Sequence, residues 1–235
     1  MQVEVFSDVV CPFCYIGKRR LEEALSTFPH ADAVQVTYRS FQLDPTTPQH
    51  VEETLDEMLA RKYGRTLDQA REMNSRVADM AATVGLDFHL SDAHPANTFD
   101  AHRLLHLAAA EGRQEQLKER LLRAYFSEGA RVGDHHQLAA LAAEAGLDPD
   151  RVRQVLAGDE YADEVRADIE LARGFGATGV PFFVFDRKYG VSGAQETAVF
   201  TEVLERAWAD AAPVQVVGDP DAAACEGDAC EVPAR

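Results

Sequence analysis

Phe6-Ser7-Asp8-Val9-Val10-Cys11-Pro12-Phe13-Cys14-Tyr15-Ile16-Gly17 joins two periodicities. Before it, Gln2 to Phe6 alternates as a strand does; from Cys14 onward Ile16, Leu21, Ala24, Leu25 and Phe28 recur near helical spacing. Ser7 and Asp8 supply turn or cap chemistry in between. The Cys-x-x-Cys pair therefore stands where a helix begins. Unpaired backbone N–H groups and the helix dipole stabilise negative charge there, and the thiolate is the reactive form of cysteine. This position predicts Cys11 as the attacking thiolate and Cys14, one turn further in and more buried, as the thiol that resolves a mixed disulfide. Pro12 suits the first helical turn, where its missing donor costs little. Half of a zinc site or two inert core cysteines are the bland alternatives, and a strand-to-helix junction favours the redox pair.

Working outward, Val34, Val36 and Tyr38 alternate again, and this second strand ends near Phe41-Gln42-Leu43, because Asp44-Pro45 and Pro48 punctuate the chain. From about residue 50 to about residue 172 nearly every segment has helical period, broken by Gly85, Gly129, Gly133 and Asp148-Pro149, which makes five or six helices. A last helix near 160–173 leads through glycines into Val180-Pro181-Phe182-Phe183-Val184-Phe185, dense in β-branched and aromatic residues like a buried strand. A short strand at 190–192 and a helix at 196–211 follow. Without the helical block the order is βαβ, hairpin, helix, so the expected class is α/β: a thioredoxin-like fold with a large all-helical insertion and a flexible C-terminal tail. The expected bounds are 1–45 plus 158–212 for the thioredoxin-like domain, 46–157 for the insertion and 213–235 for the tail.

Composition narrows the function. The 235 residues carry 23 Lys plus Arg against 40 Asp plus Glu, a formal net charge of −17, which repels phosphate backbones and anionic lipid. No nucleic-acid or membrane partner is expected. Met1 to Phe6 has no basic or apolar leader pattern, so a cytoplasmic location is expected. Four cysteines are too few for a disulfide-stapled secreted scaffold; in a reducing compartment, paired cysteines point to redox or metal chemistry.

Gly179-Val180-Pro181-Phe182 places a proline at the head of a strand, where a cis bond is tolerated. In a thioredoxin-like fold such a loop faces the active sulfurs and leaves the backbone of Val180 free to pair with an extended substrate. Phe6 to Gly17, Asn97-Thr98-Phe99-Asp100-Ala101-His102-Arg103-Leu104 and Gly179-Val180-Pro181-Phe182-Phe183 together resemble the DsbA-like thiol-disulfide oxidoreductases, and more narrowly their cytoplasmic FrnE-type branch. The resemblance spans residues 1 to about 211 with the motifs in order. It implies a thioredoxin fold with a helical insertion, Cys11 and Cys14 as the redox pair, and Pro181 as a cis-proline. Oxidase, isomerase and reductase all remain open; the Pro12-Phe13 dipeptide tilts the reading toward isomerase or oxidant.

A second pair, Cys225-Glu226-Gly227-Asp228-Ala229-Cys230, lies in the acidic tail. The residues from Pro213 to Cys225 could span about 45 Å if extended, so this pair could relay electrons to Cys11-Cys14; a metal-binding or passive tail are the alternatives. Other signals carry less. Gly174-Phe175-Gly176-Ala177-Thr178-Gly179 matches G-x-G-x-x-G but follows a helix and precedes a strand, the reverse of a dinucleotide site, so its glycines should end a helix. His102 and His106 have ligand spacing without an acid between them, which suggests packing rather than metal. Asp8 is the candidate proton acceptor for Cys14, preferred to Glu4; a turn residue and a solvent-facing strand residue are their plain readings.

The chain thus reads as an enzyme without metal or cofactor that acts on protein or peptide dithiols and disulfides, with glutathione or a thioredoxin-type protein as reductant. Pro12, Phe13, Val180 and Phe182 are the candidate substrate-binding residues, with Tyr15 as a further apolar wall. Two rivals stand beside it. Kappa-type glutathione transferases and chromene-carboxylate isomerases look similar over this length but put Ser where Cys11 stands. A metal-binding or redox-sensing holdase module would use all four cysteines.

Overall fold

A computed structural model describes residues 1–211, Cys225–Glu226 and Ala229–Cys230. Strand β1 (Gln2–Ser7) pairs in parallel with β2 (Gln35–Ser40) through the crossover helix α1 (Pro12–Thr27). On its other edge β1 pairs antiparallel with β3 (Phe182–Phe185), which turns back into β4 (Tyr189–Ser192). The sheet order is β2-β1-β3-β4, and the final helix α9 (Thr197–Asp210) packs beside α1. This is the thioredoxin-like arrangement.

Strand alternation sends side chains to two different cores. Val3, Val5, Phe183 and Phe185 meet Leu21, Ala24, Phe200 and Leu204 under α1 and α9. Each fully buried Phe there is worth about 2–3 kcal/mol of transfer free energy. Phe6 and Val184 point the other way, toward Ala172 and Ala177. Both faces of β1 are consequently covered, and Glu4 is not the solvent-facing residue expected. It is buried, and Arg39 at 2.8 Å and Arg187 at 3.0 Å neutralise it. A buried carboxylate persists only with such partners.

Between β2 and β3 the chain forms α2 (Leu55–Tyr63), α3 (Leu67–Ala82), α4 (Phe99–Ala110), α5 (Gln114–Ser127), α6 (His135–Glu144), α7 (Pro149–Ala157) and α8 (Ala162–Gly174). The first two start on capping boxes at Thr54 and Thr66, while Asp134 and Asp148 cap α6 and α7. A shared core of Leu104, Leu121, Tyr125, Phe126, Leu138 and Val152 binds the block together, and Val9, Tyr15 and Ile16 of the βα junction insert into it. The insertion therefore grips the segment that carries the cysteines. Helix α8 lies against β2, where Asp168 accepts the Ser40 N–H at 2.9 Å and pairs with Arg39 and His106.

The glycine-rich connection from α8 behaves as a helix stop. Gly176 has φ +80°, and the Ala177 N–H returns to the Ala172 carbonyl. Val180-Pro181 is cis, as the Gly-Val-Pro-Phe motif suggested. Of the tail, only Cys225–Glu226 and Ala229–Cys230 are described; they form a two-stranded antiparallel ladder with Cys225 opposite Cys230. The rest of the tail, and the expectation that it is flexible, lie outside the described residues. No helix among the described residues is long and apolar enough to cross a membrane.

Candidate active site

Cys11 is the N-cap residue of α1, and Pro12 occupies the first helical position. No side chain caps this end and the first turn holds no acid, so no carboxylate of α1 competes for its N–H groups. Across from α1, the Cys11 thiol donates to the Val180 carbonyl at 3.5 Å. Gly17 lets the helix and the Pro181 loop approach this closely. A methyl at Gly17 would lie 3.0 Å from Phe183 Cζ and 3.3 Å from Pro181 Cγ.

The two cysteines do not differ in exposure as expected: Cys11 is 3% exposed and Cys14 2%. What separates them is polarity. Cys11 lines the groove beside α1, whereas burial pushes the Cys14 thiol up, its hydrogen bond to Cys11 adds to this, and the charge of Lys118 works against it.

Behind the pair lies a buried polar cluster. Asp8 accepts from the Val9 N–H at 2.8 Å, the Leu43 N–H at 2.8 Å and His102 Nε2 at 3.2 Å. Burial alone would raise its carboxyl, but the His102 hydrogen bond and charge, with help from Leu43 and Thr98, hold it below the ordinary carboxylate value. Burial lowers His102, and the Asp8 bond only partly restores it. His102 is thus a neutral donor to a carboxylate, and Asp8, with both oxygens engaged, is a fixed anion poorly suited to accept a proton. His106 sits elsewhere, on Asp168 and Ser40. Among the described residues no group of three or more His, Cys, Asp or Glu could hold a metal ion.

A groove of about 890 Å³ opens in front of Cys11. Pro12, Phe13 and Val180 line it with Leu43, Met58 and Met73, and it carries charge of both signs, Arg61, Lys62 and Arg76 against Asp44 and Glu53. Phe13 is 40% exposed and stands ready as a contact surface. Tyr15 is not a wall of this groove. Residues two apart on a helix face opposite ways, so Tyr15 turns into the insertion, stacks on Phe88 and donates to Glu119 at 2.5 Å. Phe182 lies off the groove too, because the strand alternation that sends Phe183 toward α1 sends Phe182 toward Phe6 and Ala172, with its ring over Gly190.

Sequence reading missed Lys118. It is 1% exposed and its Nζ has no hydrogen-bond partner among the described residues; burial lowers the pKa of its ammonium, and the charges of Cys14, Asp8 and Cys11 oppose this only in part. One signal was available: Lys118, Leu121, Leu122 and Tyr125 share the i, i+3, i+4, i+7 stripe that faces the core.

A family model described as a DSBA-like thioredoxin domain matches residues 2–205. The chain is 47% identical to SCO1869 of Streptomyces coelicolor, described as a probable DsbA oxidoreductase, with 100% of each chain covered and a TM-score of 0.91. It shares its fold with the cytosolic disulfide reductase DsbM of Pseudomonas aeruginosa, solved with GSH, at 17% identity and a TM-score of 0.62, covering 89% of this chain and 100% of that one. A 2-hydroxychromene-2-carboxylate isomerase shares it as well, at 16% identity and a TM-score of 0.64, covering 91% and 100%. The last two likenesses concern the fold alone.

Proposed function

The chain belongs to the family of DsbA-like thioredoxin domains, and on that premise we propose that it exchanges disulfides with peptide or protein substrates through Cys11 and Cys14. The observation that carries the reading is the seat of Cys11, at an uncapped helix N-terminus, against the Val180 carbonyl and on the wall of a largely apolar groove.

In the reducing direction the Cys11 thiolate attacks a substrate disulfide R–S–S–R′, forms Cys11–S–S–R and releases R′–S⁻. The Cys14 thiolate then attacks Cys11 Sγ, forms the Cys11–Cys14 bond and releases R–S⁻. Two electrons pass from the cysteine pair to the substrate, and both released thiolates are protonated. A thiol reductant resets the pair, glutathione or a thioredoxin-type protein being the proposed class; the reverse sequence oxidises a substrate dithiol. Pro12, Phe13 and Val180 contact the substrate, with the Val180 backbone beside Pro181 guiding an extended segment past the sulfur. The compartment proposed is the cytoplasm, where a pair of this kind works against a reduced thiol pool. Cys225 and Cys230 are proposed as a second, exchanging pair; their opposed backbone register supports it, because directly opposed antiparallel residues have Cα atoms about 4.5–5.5 Å apart, inside the disulfide range.

Insulin reduction and refolding of scrambled ribonuclease, run with wild type, Cys11→Ser and Cys14→Ser, test the reading. Activity that disappears with Cys11→Ser supports it. Catalysis that survives Cys14→Ser while needing only one thiol and glutathione would favour the transferase or isomerase class instead.

A further inference from the structure

We propose that Asn97 is a positioning residue for the peptide site: its side-chain amide fixes the segment between β2 and α2 that walls the groove, and so sets which disulfides are well held at Cys11. The inference rests on the redox reading above and takes up the Asn97-to-Leu104 motif, which that reading leaves without a task.

Residues 41–54 carry the chain from β2 to α2 without helix or strand, and none of them is fully buried. A segment with no core of its own is held only as firmly as its polar ties. Leu43, Thr46, Thr47, Pro48 and Val51 nevertheless line the groove in front of Cys11. The ties come largely from the insertion. Asn97 Nδ2 donates to the Thr47 carbonyl at 2.8 Å, and Gln42 Nε2 donates back to Asn97 Oδ1 at 3.4 Å. Gln49 donates to Asp100 at 3.1 Å, and Arg131 donates to the Val51 carbonyl at 2.7 Å. At the β2 end the Leu43 N–H reaches Asp8. Gly133 leaves room for the same stretch: a Cβ there would stand 2.8 Å from the Gln49 carbonyl oxygen and 3.3 Å from that of Asn97.

Among these ties Asn97 connects the wall to the frame that also holds the active-site turn. Its Oδ1 accepts the Phe99 N–H at 3.0 Å, where α4 begins, and further along the same helix His102 reaches Asp8. Helix α4 thus fixes the wall and the turn that leads to Cys11 against one another. The two tasks of the amide are separable. Aspartate at this position keeps an oxygen for Phe99 and Gln42 but sets a carboxylate oxygen against the Thr47 carbonyl, where two acceptors meet without a proton. A small disulfide reaches Cys11 without using the wall, whereas a peptide disulfide lies along it.

The test oxidises reduced full-length protein, wild type and Asn97→Asp, in single turnover with two substrates: hydroxyethyl disulfide and the symmetric disulfide of a cysteine peptide flanked by leucines. In Asn97→Asp the ratio of the peptide to the small-disulfide second-order rate constant should fall about fivefold, the worth of about one hydrogen bond. The loss should appear in half-saturation by the peptide and not in the saturated rate. An unchanged ratio overturns the proposal, because a merely structural asparagine changes the folded fraction and slows both substrates alike. If wild type reacts with neither disulfide, or Cys11→Ser reacts as well as wild type, the redox reading itself fails. Should Asn97→Asp not fold, Cys14→Ser carrying the peptide on Cys11 decides. Its amide hydrogen exchange across residues 42–51 should be slower than with mercaptoethanol on Cys11, and equal exchange contradicts the proposal.

Discussion

His102 Nε2 donates to the Asp8 carboxylate at 3.2 Å, and both side chains are sealed from solvent directly behind the cysteine pair. The bond joins α4 of the insertion to the turn between β1 and α1, so the active-site turn and the helical block are held as one unit. Removing one partner leaves the other buried without its match, which typically costs about 1–3 kcal/mol for a hydrogen bond to a charged group.

His102→Gln should therefore lower stability, and it should alter its pH dependence. Burial holds the folded His102 below its ordinary value, so the unfolded chain binds the proton more readily. Wild-type stability falls as pH drops below the unfolded histidine value, about 6.5, toward the lower folded one. Urea midpoints at mildly acidic and mildly alkaline pH should show a smaller loss in the variant than in wild type. Parallel losses would mean that His102 is not the titrating group.

Glu119 holds α5 against α1. Burial pushes its carboxyl up, but hydrogen bonds from Arg19 and Tyr15 and the charge of Lys18 outweigh this and bring it down from 4.5 to about 2. A folded pKa below the unfolded one contributes stability above the unfolded value and loses it as pH falls toward the folded one. With about a third of the side chain exposed, screening reduces the effect to about 1–2 kcal/mol. Glu119→Gln should show that deficit at neutral pH, and the deficit should vanish between about pH 4.5 and about pH 2. A pH-independent difference would contradict the assignment.

Gly17→Ala tests the close approach of α1 to the Pro181 loop. Its methyl meets the buried Phe183 ring at 3.0 Å, so either the ring or the helix must move. Overpacking of this kind costs about 1–3 kcal/mol, although alanine is the better helix former. Lower stability together with slower reaction of Cys11 is expected; a stabilised, fully active variant would show that the contact relaxes freely.

The tail pair is tested by Cys225→Ser combined with Cys230→Ser. Turnover should slow with a protein reductant, while resolution of a preformed Cys11 mixed disulfide stays unchanged. Equal turnover with every protein and small-molecule reductant removes the relay.

Much of the fold could be read from local chemistry. The alternation of Gln2 to Phe6, the Cys-x-x-Cys at the helix start and the Val180-Pro181 strand head placed three elements and the cis bond, since each depends on neighbours in the chain. The residues behind the sulfurs were harder. Lys118 looks like a surface lysine until the stripe it shares with Leu121, Leu122 and Tyr125 is followed inward, and no local pattern says that α5 meets α1 there. His102 drew attention through its spacing from His106, but tertiary packing gives the two histidines different acids, Asp8 and Asp168. Phe182 and Tyr15 neighbour the groove residues in sequence but not in space, because strands alternate and helices rotate.

The most direct measurement is trapping with Cys14→Ser. Incubated with a disulfide-bonded peptide, this variant should accumulate a mixed disulfide that peptide mapping locates on Cys11, that a thiol reductant releases, and that Cys11→Ser never forms. Peptide found on another residue, or undiminished disulfide exchange by Cys11→Ser, would contradict the assignment of Cys11 as the attacking thiol.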